Sequence, residues 1–321
     1  MMRILVTGAN GFVGRAVCAA AVQRRHDVIA LVRRAGTCPP DVLEWVSPEA
    51  DFASVACNWP VGEIDAVIHA AARVHQFGQH EATMLDAYRA TNVDGALRVA
   101  ESAFRHGCRR FLNISSIKAL GESDRGRPLR ESDQANPTDA YGISKHEAEV
   151  ALDALAGRYG ARCTSVRPPL VYGPGVGGNF ERLMSAISRR VPLPLGRANA
   201  ARSLVFVGNL ADALLALAEQ DGTLRPVYHV ADAEVLTVSE LITALGRHLE
   251  QPARLIGFPI SVLKWGGRLA GRTAMIERLV EPLRVDAGAI GADLGWRPAY
   301  SSEEGLARTA QAYREHLAEA Q

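Results

Sequence analysis

RILVTGANGFVG, residues 3–14, decides the fold because it joins a short apolar run to a glycine-rich loop. The run 3–7 is rich in β-branched residues and ends at glycine, and 12–24 carries apolar residues at helical spacing. We therefore predict a strand, a tight turn and a helix in succession.

The three glycines of this stretch have separate tasks. Gly8 permits the tight turn, Gly11 lets backbone N–H groups approach a pyrophosphate, and Gly14 lets the helix pack on the strand. A glycine triplet alone is weak support, since turns need glycine in any case. Its position between a predicted strand and a predicted helix indicates a dinucleotide-binding loop.

Strands and helices alternate through the first half of the chain. This alternation predicts an α/β fold, a doubly wound Rossmann sheet of parallel strands covered by helices on both faces. The further strands are predicted at 28–32, 66–69, 110–114 and 163–166, with helices at 87–104 and 144–159.

The pattern changes at 168–178, where Pro and Gly crowd together and predict a loop. A strand at 203–207 and helices at 209–220, after 237 and from 301 follow. We predict a dinucleotide-binding domain of 1–168 with parts of 203–232. A smaller C-terminal substrate-binding lobe is predicted from 169–202 and 233–321.

Composition excludes several classes of protein. Lys and Arg total 36 against 35 Asp and Glu, which argues against a nucleic-acid partner or a polybasic membrane contact. The five cysteines are scattered without metal-ligand spacing, as expected of reduced thiols in the cytoplasm and with no metal. No apolar run reaches the ~20 residues that cross a bilayer, and charges interrupt 260–274, so an amphipathic helix is predicted there.

Ser116, Tyr141 and Lys145 are the predicted catalytic residues. Tyr141 and Lys145 are four residues apart, so they share one helix face, and Ser116 follows the apolar run 110–114. A phenol with a pKa near ~10 is a poor proton-transfer group at neutral pH, so a nearby ammonium is needed to favour the phenolate. A serine hydroxyl can orient the carbonyl or alcohol of a substrate.

The end of the second predicted strand bears on the cofactor. An Asp or Glu there would bind a free ribose 2′-OH, but this chain has Val32-Arg33-Arg34. Arginine can hold a 2′-phosphate through charge-assisted hydrogen bonds. Arg33 and Arg34 therefore favour NADP(H), while NAD(H) stays possible and a solvated arginine pair is the alternative.

Ordered motifs along nearly the whole chain resemble those of the extended short-chain dehydrogenase/reductases, in the group of nucleotide-sugar epimerases, dehydratases and ketoreductases. The resemblance implies a UDP-sugar substrate and a homodimer formed through the helix of Tyr141 and its neighbour. The motifs are TGANGFVG (7–14), HAAA (69–72), TNV (91–93), the Ser115-Ser116 strand end, YGISK (141–145), RPPLVYGP (167–174) and LGWRP (294–298).

The same resemblance assigns the remaining site residues. Asn92 would brace the strand near the nicotinamide, and Lys145 would also bind the nicotinamide ribose. Asn179 and Arg202 would contact the diphosphate of the sugar nucleotide. Ser116 and Lys118 would also contact the substrate. Cofactor contacts are implied for Gly8, Asn10, Gly11, Phe12, Val13, Gly14, Ala70, Ala71, Ala72, Asn92, Tyr141, Lys145 and Pro168.

Departures from the family pattern reduce the number of reactions that fit this chain. The 4,6-dehydratases need an acidic residue directly after the catalytic Ser, and here it is Ile117, which argues against dehydration. Typical 4-epimerases carry an acidic residue after the second strand and an Asn in place of Leu170, and this chain has neither feature. Lys118 either binds substrate or faces solvent. The Gly-Asp pair that usually contacts adenine after the third strand is absent from 46–51, so either Asp51 replaces it or adenine is held differently.

The run 115–121, SSIKALG, looks most like that of a subgroup of the family associated with bacterial surface-polysaccharide synthesis. We expect an NADPH-dependent reductase of the C4 ketone of a UDP-linked 4-keto-6-deoxy-N-acetylhexosamine. The first alternative is a UDP-hexose or UDP-N-acetylhexosamine 4-epimerase, which uses the same three residues. The second is a non-catalytic sensor of NADP(H) or a sugar nucleotide.

Overall fold

Ten strands form two sheets in the computed structural model, which describes residues 1–38, 41–60, 62–74, 81–259, 261–262 and 281–319. Seven strands form the main sheet in the order β3-β2-β1-β4-β5-β6-β9, and every neighbouring pair in it is parallel. The strands are β1 Arg3–Thr7, β2 Asp27–Val32, β3 Leu43–Val46, β4 Ala66–His69, β5 Arg110–Ile114, β6 Arg162–Arg167, β7 Leu170–Tyr172, β8 Ala201–Phe206, β9 Val227–His229 and β10 Val235–Thr237.

Helices cover both faces of the main sheet, because its central strands are apolar on both sides. In β1, Ile4 and Val6 join the core that includes residues of α1 and α6, and Leu5 joins the core of α3 and α4 on the other face. The helices are α1 Phe12–Gln23, α2 Glu81–Arg89, α3 Ala96–Arg105, α4 Ala140–Arg158, α5 Gly178–Ser188, α6 Val207–Glu219, α7 Val238–His248, α8 Gly288–Leu294 and α9 Ser302–Glu319.

The second sheet has three strands in the order β10-β8-β7. Residues of α5, α7 and α9 share a third apolar core with β7 and β8, and α7 begins with a capping box formed by Thr237 and Glu240. β9 and α6 lie with the main sheet, whereas β8 lies in the smaller one. The two-part division of the chain at these residues stays a prediction.

The Rossmann-type α/β fold is confirmed, and β1, β4 and β5 have the predicted bounds. Three element predictions are wrong in part. The 168–178 stretch holds the short strand β7, which pairs with β8; helix 87–104 is interrupted by a π-helical turn, Ala90–Gly95; and helix 144–159 begins earlier, at Ala140. The amphipathic helix predicted at 260–274 lies almost entirely outside the described residues.

The strand order places a switch point between β1 and β4. From β1 the chain proceeds to β2 and β3 on one side and then returns to β4 on the other. In open parallel sheets ligands bind at such a point, outside the carboxyl ends of the strands. Within the described ranges, no helix is long and apolar enough to cross a membrane.

Candidate active site

The glycine-rich loop joins β1 to α1 at the switch point. Gly8 has a φ of +61°, and a Cβ there would lie 2.7 Å from the Cα of Ala71. A Cβ at Gly14 would lie 2.2 Å from the carbonyl oxygen of Gly8. Any larger residue at either position would therefore displace the backbone, and glycine is required for the close contact between this loop and the segment that follows β4.

The start of α1 fits the pyrophosphate of a dinucleotide. Its N-cap is Gly11, which supplies no side-chain hydrogen bond to the N–H groups of the first turn. Such N–H groups, at the positive end of the helix dipole, bind phosphate oxygens. Gly11, Phe12 and Val13 lie at this start of α1, and their contact with a cofactor stays a prediction.

Arg33 and Arg34 follow β2 directly, and both are exposed. Neither guanidinium forms an ion pair within the described part of the chain. The loop after them is held by Glu44 of β3, whose carboxylate accepts the N–H groups of residues 36, 37 and 38 at 2.6, 2.9 and 2.8 Å. Asp51, the candidate for the adenine contact, lies 2.5 Å from the Arg98 guanidinium, so its carboxylate already has a cationic partner.

β5 and α4 bring Ser116, Tyr141 and Lys145 together. Ser116 follows β5 and caps a 3₁₀ turn by accepting the N–H of Lys118 at 3.2 Å. The Ser116 side chain also hydrogen-bonds Tyr141, which lies in the first turn of α4. One turn later, Lys145 donates from Nζ to the carbonyl oxygen of Ile114 at 2.8 Å, and this Nζ lies 6.0 Å from the centroid of the Tyr141 ring.

Burial opposes ionisation of both members of the Tyr/Lys pair. Burial first, and then the negative charge of Asp139, raises the pKa of Tyr141, and the hydrogen bond with Ser116 lowers it by less. Burial lowers the pKa of Lys145 to about 8, with Glu149 acting in the opposite direction. At neutral pH Tyr141 is therefore a neutral phenol, able to give a proton to an oxygen held by Ser116.

Asn92 lies in the π-helical turn between α2 and α3. Its side-chain oxygen accepts the N–H of Arg73 at 2.8 Å, and its amide donates to the Arg73 carbonyl at 3.2 Å and to the Ser144 hydroxyl at 3.0 Å. Turns of this kind occur frequently at functional sites. Asn92 thus ties the segment after β4 to α4, next to Lys145.

The remaining predicted residues lie near this cluster or in α5 and β8. Lys118 is 22% exposed; its ammonium pairs with Asp139 and lies 3.2 Å from Glu122, so it does not face open solvent. The carbonyl of Pro168 accepts the N–H of Ile117 at 3.0 Å. Asn179 is exposed in the first turn of α5, and Arg202 of β8 donates to the carbonyl of Glu281 at 3.1 Å; their part in substrate binding stays a prediction.

Sequence reasoning missed two neighbours of Tyr141. Asp139 is the N-cap of α4 and accepts the N–H of Gly142 at 2.7 Å; an Asp directly before a helical pattern is a signal that could have found it. Tyr88 meets the Tyr141 ring edge-on, with centroids 6.0 Å apart, and nothing in the sequence pattern pointed to it. Among the described residues, no group of His, Cys, Asp and Glu could hold a metal ion.

Comparison with known proteins identifies the family of the chain. The model of the NAD dependent epimerase/dehydratase family matches residues 4–231. The chain belongs to this family. The predicted membership is thereby confirmed, as is the prediction of an enzyme with a nicotinamide cofactor.

Relatives of this epimerase/dehydratase member include both epimerases and a reductase. It is 34% identical to a UDP-glucose 4-epimerase of Vibrio cholerae over 97% of this chain and 95% of the relative. It is 25% identical to a dTDP-4-dehydro-6-deoxyglucose reductase of Escherichia coli over 97% of each. The fold matches that of UDP-glucose 4-epimerase from Thermotoga maritima with a TM-score of 0.78 at 23% identity, covering 98% of this chain and all of that one.

Proposed function

We propose that this family member is an NADPH-dependent 4-ketoreductase of a UDP-linked 4-keto-6-deoxy-N-acetylhexosamine, acting as a homodimer in the cytoplasm in the synthesis of polysaccharide precursors. The observation that carries the proposal is the cluster in which the Ser116 side chain hydrogen-bonds Tyr141 and Lys145 Nζ lies 6.0 Å from the centroid of the Tyr141 ring. A neutral phenol bonded to Ser116 is the form needed to protonate the oxygen of a ketone as it is reduced.

The chain's residues would act on the substrate carbonyl in a simple order. NADPH, when bound, supplies a hydride to sugar C4. Ser116 donates a hydrogen bond to the C4 oxygen, and Tyr141 gives its proton to that oxygen, so the ketone ends as an alcohol. Lys145, a cation next to the phenolate that remains, stabilises it until it is protonated again; preorganised groups of this kind contribute roughly 10²–10⁴-fold to the rate.

The choice of NADPH is supported by Arg33 and Arg34. Both guanidinium groups are exposed at the carboxyl end of β2, beside the loop that begins α1, and Gly8 of that loop donates to the Leu31 carbonyl at 3.1 Å. No acidic residue stands at the end of β2 to select a free 2′-OH.

A UDP-hexose or UDP-N-acetylhexosamine 4-epimerase is the second candidate, favoured by the 34% identity with the Vibrio cholerae UDP-glucose 4-epimerase. An epimerase uses the same three residues but first removes the proton of the C4 hydroxyl, so Tyr141 must start as a phenolate. Burial raises the pKa of Tyr141, whereas the positive charge of a bound oxidised nicotinamide would lower it, so these three residues fit either reaction and the assay must separate them.

One assay separates the two candidates. The purified protein is incubated with UDP-4-keto-6-deoxy-N-acetylglucosamine and NADPH or NADH, and both cofactor oxidation and the product sugar are followed. The reductase consumes one equivalent of NADPH per C4 alcohol formed. If no cofactor is consumed, and UDP-glucose or UDP-N-acetylglucosamine converts to its C4 epimer without added reductant, the protein is the epimerase.

A further inference from the structure

A buried ion pair joins α4 to β6 behind the catalytic cluster. Arg167, the last residue of β6, donates from Nε and Nη2 to the two carboxylate oxygens of Glu149, at 2.9 and 2.6 Å. Each of the two side chains is only 6% exposed. Glu149 lies one helical turn after Lys145, on the same face of α4.

Stability alone does not account for this pair. A buried ion pair is often no more stable than well-packed apolar residues, because both charges lose their hydration. Moreover, Nη1 of Arg167 is buried and has no hydrogen-bond partner within the described ranges. Its neighbour in the sheet is His229, which burial keeps neutral by lowering its pKa.

Lys145, by contrast, needs a nearby negative charge. The residue is only 2% exposed, and its ammonium donates to a carbonyl, that of Ile114, where a buried cation is costly without a counter-charge. His69 of β4, which interacts with Lys145 from the sheet, supplies no negative charge, because burial holds it neutral with a pKa of about 3. Glu149 is the acidic group whose charge favours the Lys145 ammonium.

We propose that Glu149 is a positioning residue for proton transfer: it keeps Lys145 charged in a buried site, and Arg167 holds the Glu149 carboxylate ionised and fixed in place. This inference rests on the proposed roles of Tyr141 and Lys145. It accounts for an ion pair in which Arg167 donates two hydrogen bonds to Glu149 although its Nη1 has no hydrogen-bond partner within the described ranges.

The test reads the protonation of Lys145 directly and needs no substrate. The chain has three lysines, Lys118, Lys145 and Lys264, so ¹³Cε-lysine labelling gives three NMR signals, and a Lys145→Arg variant identifies the one of interest. In the wild type we expect a midpoint of about 8. In Glu149→Gln we expect the midpoint to fall by about one pH unit, the lower end of the shift that loss of a nearby opposite charge produces.

Glu147→Gln is the matched control. Glu147 also lies on α4 and accepts two hydrogen bonds from one arginine, Arg89, at 2.8 and 2.5 Å, but its side chain is 34% exposed. Its loss should leave the Lys145 midpoint unchanged. A midpoint that stays at the wild-type value in Glu149→Gln overturns the proposal.

Glu149→Gln leaves the buried Arg167 guanidinium without its carboxylate partner, which could prevent folding. Two more variants therefore extend the test. The double variant Glu149→Gln/Arg167→Met removes both charges and should lower the midpoint in the same direction by a smaller amount. Arg167→Lys keeps the counter-charge and should keep the midpoint. An unchanged midpoint in the double variant also overturns the proposal.

Turnover distinguishes this inference from the proposed function. If the wild type reduces the ketone, the alkaline limb of the pH–rate profile should move down in Glu149→Gln by the same interval as the NMR midpoint. If the wild type has no activity on any of the named sugars, the proposed function fails while the NMR result still stands or falls by itself.

Discussion

At the scale of single residues, Tyr141 is the proposed proton donor, and removal of its hydroxyl group tests that role. Tyr141→Phe should lower turnover by roughly 10²–10⁴-fold, the contribution of a positioned proton donor. The free energy of unfolding should change by only about 1 kcal/mol, because one hydrogen bond is lost. The measurements are steady-state turnover and urea denaturation.

Tyr159→Phe controls for loss of a phenol from the same helix region. Tyr159 caps the far end of α4 and its hydroxyl donates to Glu101 at 3.0 Å, so this variant should keep normal turnover. If Tyr141→Phe turns over at the wild-type rate, Tyr141 is not the proton donor.

Arg33 and Arg34 decide the cofactor in the proposed function. Replacing both by Ala should raise the KM for NADPH by about 10–100-fold, because hydrogen bonds to a charged group contribute about 1.5–3 kcal/mol. The KM for NADH should hardly change, since it has no 2′-phosphate. Arg158→Ala is the control: it removes an exposed positive charge at the far end of α4 and should change the KM of neither cofactor. If the double variant raises the KM for NADPH and for NADH equally, there is no basis for a 2′-phosphate contact.

At the scale of elements, the start of α4 holds Tyr141, the proposed proton donor. Asp139 caps the helix through the N–H of Gly142 and also pairs with Lys118. Asp139→Ala removes the cap and should lower the free energy of unfolding by about 1 kcal/mol. Asp139→Asn keeps a capping oxygen and should lower it by less, as measured by urea denaturation; equal losses would assign the effect to the Lys118 pair instead of the cap.

The elements that could be predicted from the sequence are those whose burial is symmetrical. β1, β4 and β5 are buried on both faces, so each is a continuous apolar run bounded by turn residues. β3 was missed because it is an edge strand in which polar and apolar residues mix, and β7 because its pairing with β8 outweighs the surrounding Pro and Gly residues. Tertiary pairing of this kind leaves no local pattern.

The site shows the same limit. Spacing and neighbouring motifs predicted Ser116, Tyr141 and Lys145 together, because a helical turn fixes how Tyr141 and Lys145 lie. The supporting contacts could not be predicted. Arg167 meets Glu149 from 18 residues away, and Lys118 meets Asp139 from 21, and only the order of strands and helices brings such residues together.

At the scale of the whole molecule, the segment around Arg284 connects the loop after Ser116 with the smaller sheet. The loop after Ser116 contains Asp124, whose fully buried carboxylate lies 2.5 Å from the Arg284 guanidinium. Leu129 of the same loop donates to the Arg284 carbonyl at 2.9 Å, and Ser203 of β8 donates to the carbonyl of Leu283 at 3.0 Å. Because the segment around Arg284 contacts both, a displacement of the loop after Ser116 would also displace the smaller sheet.

The outer face of α4 is the surface on which the predicted homodimer depends. Val150 is 59% exposed there, and Asp153, Ala154 and Gly157 extend the same exposed stripe. Their small side chains permit close approach of the same helix from a second copy, as a two-fold interface requires. We predict a dimer in solution. Its mass, measured by light scattering after size exclusion, should fall to that of a monomer in Val150→Arg, because the two long charged side chains would lose their hydration and hold the helices apart. Val235→Arg replaces an exposed valine of β10 and should leave the dimer intact; a wild-type monomer, or a Val150→Arg dimer, would place the interface elsewhere or remove it.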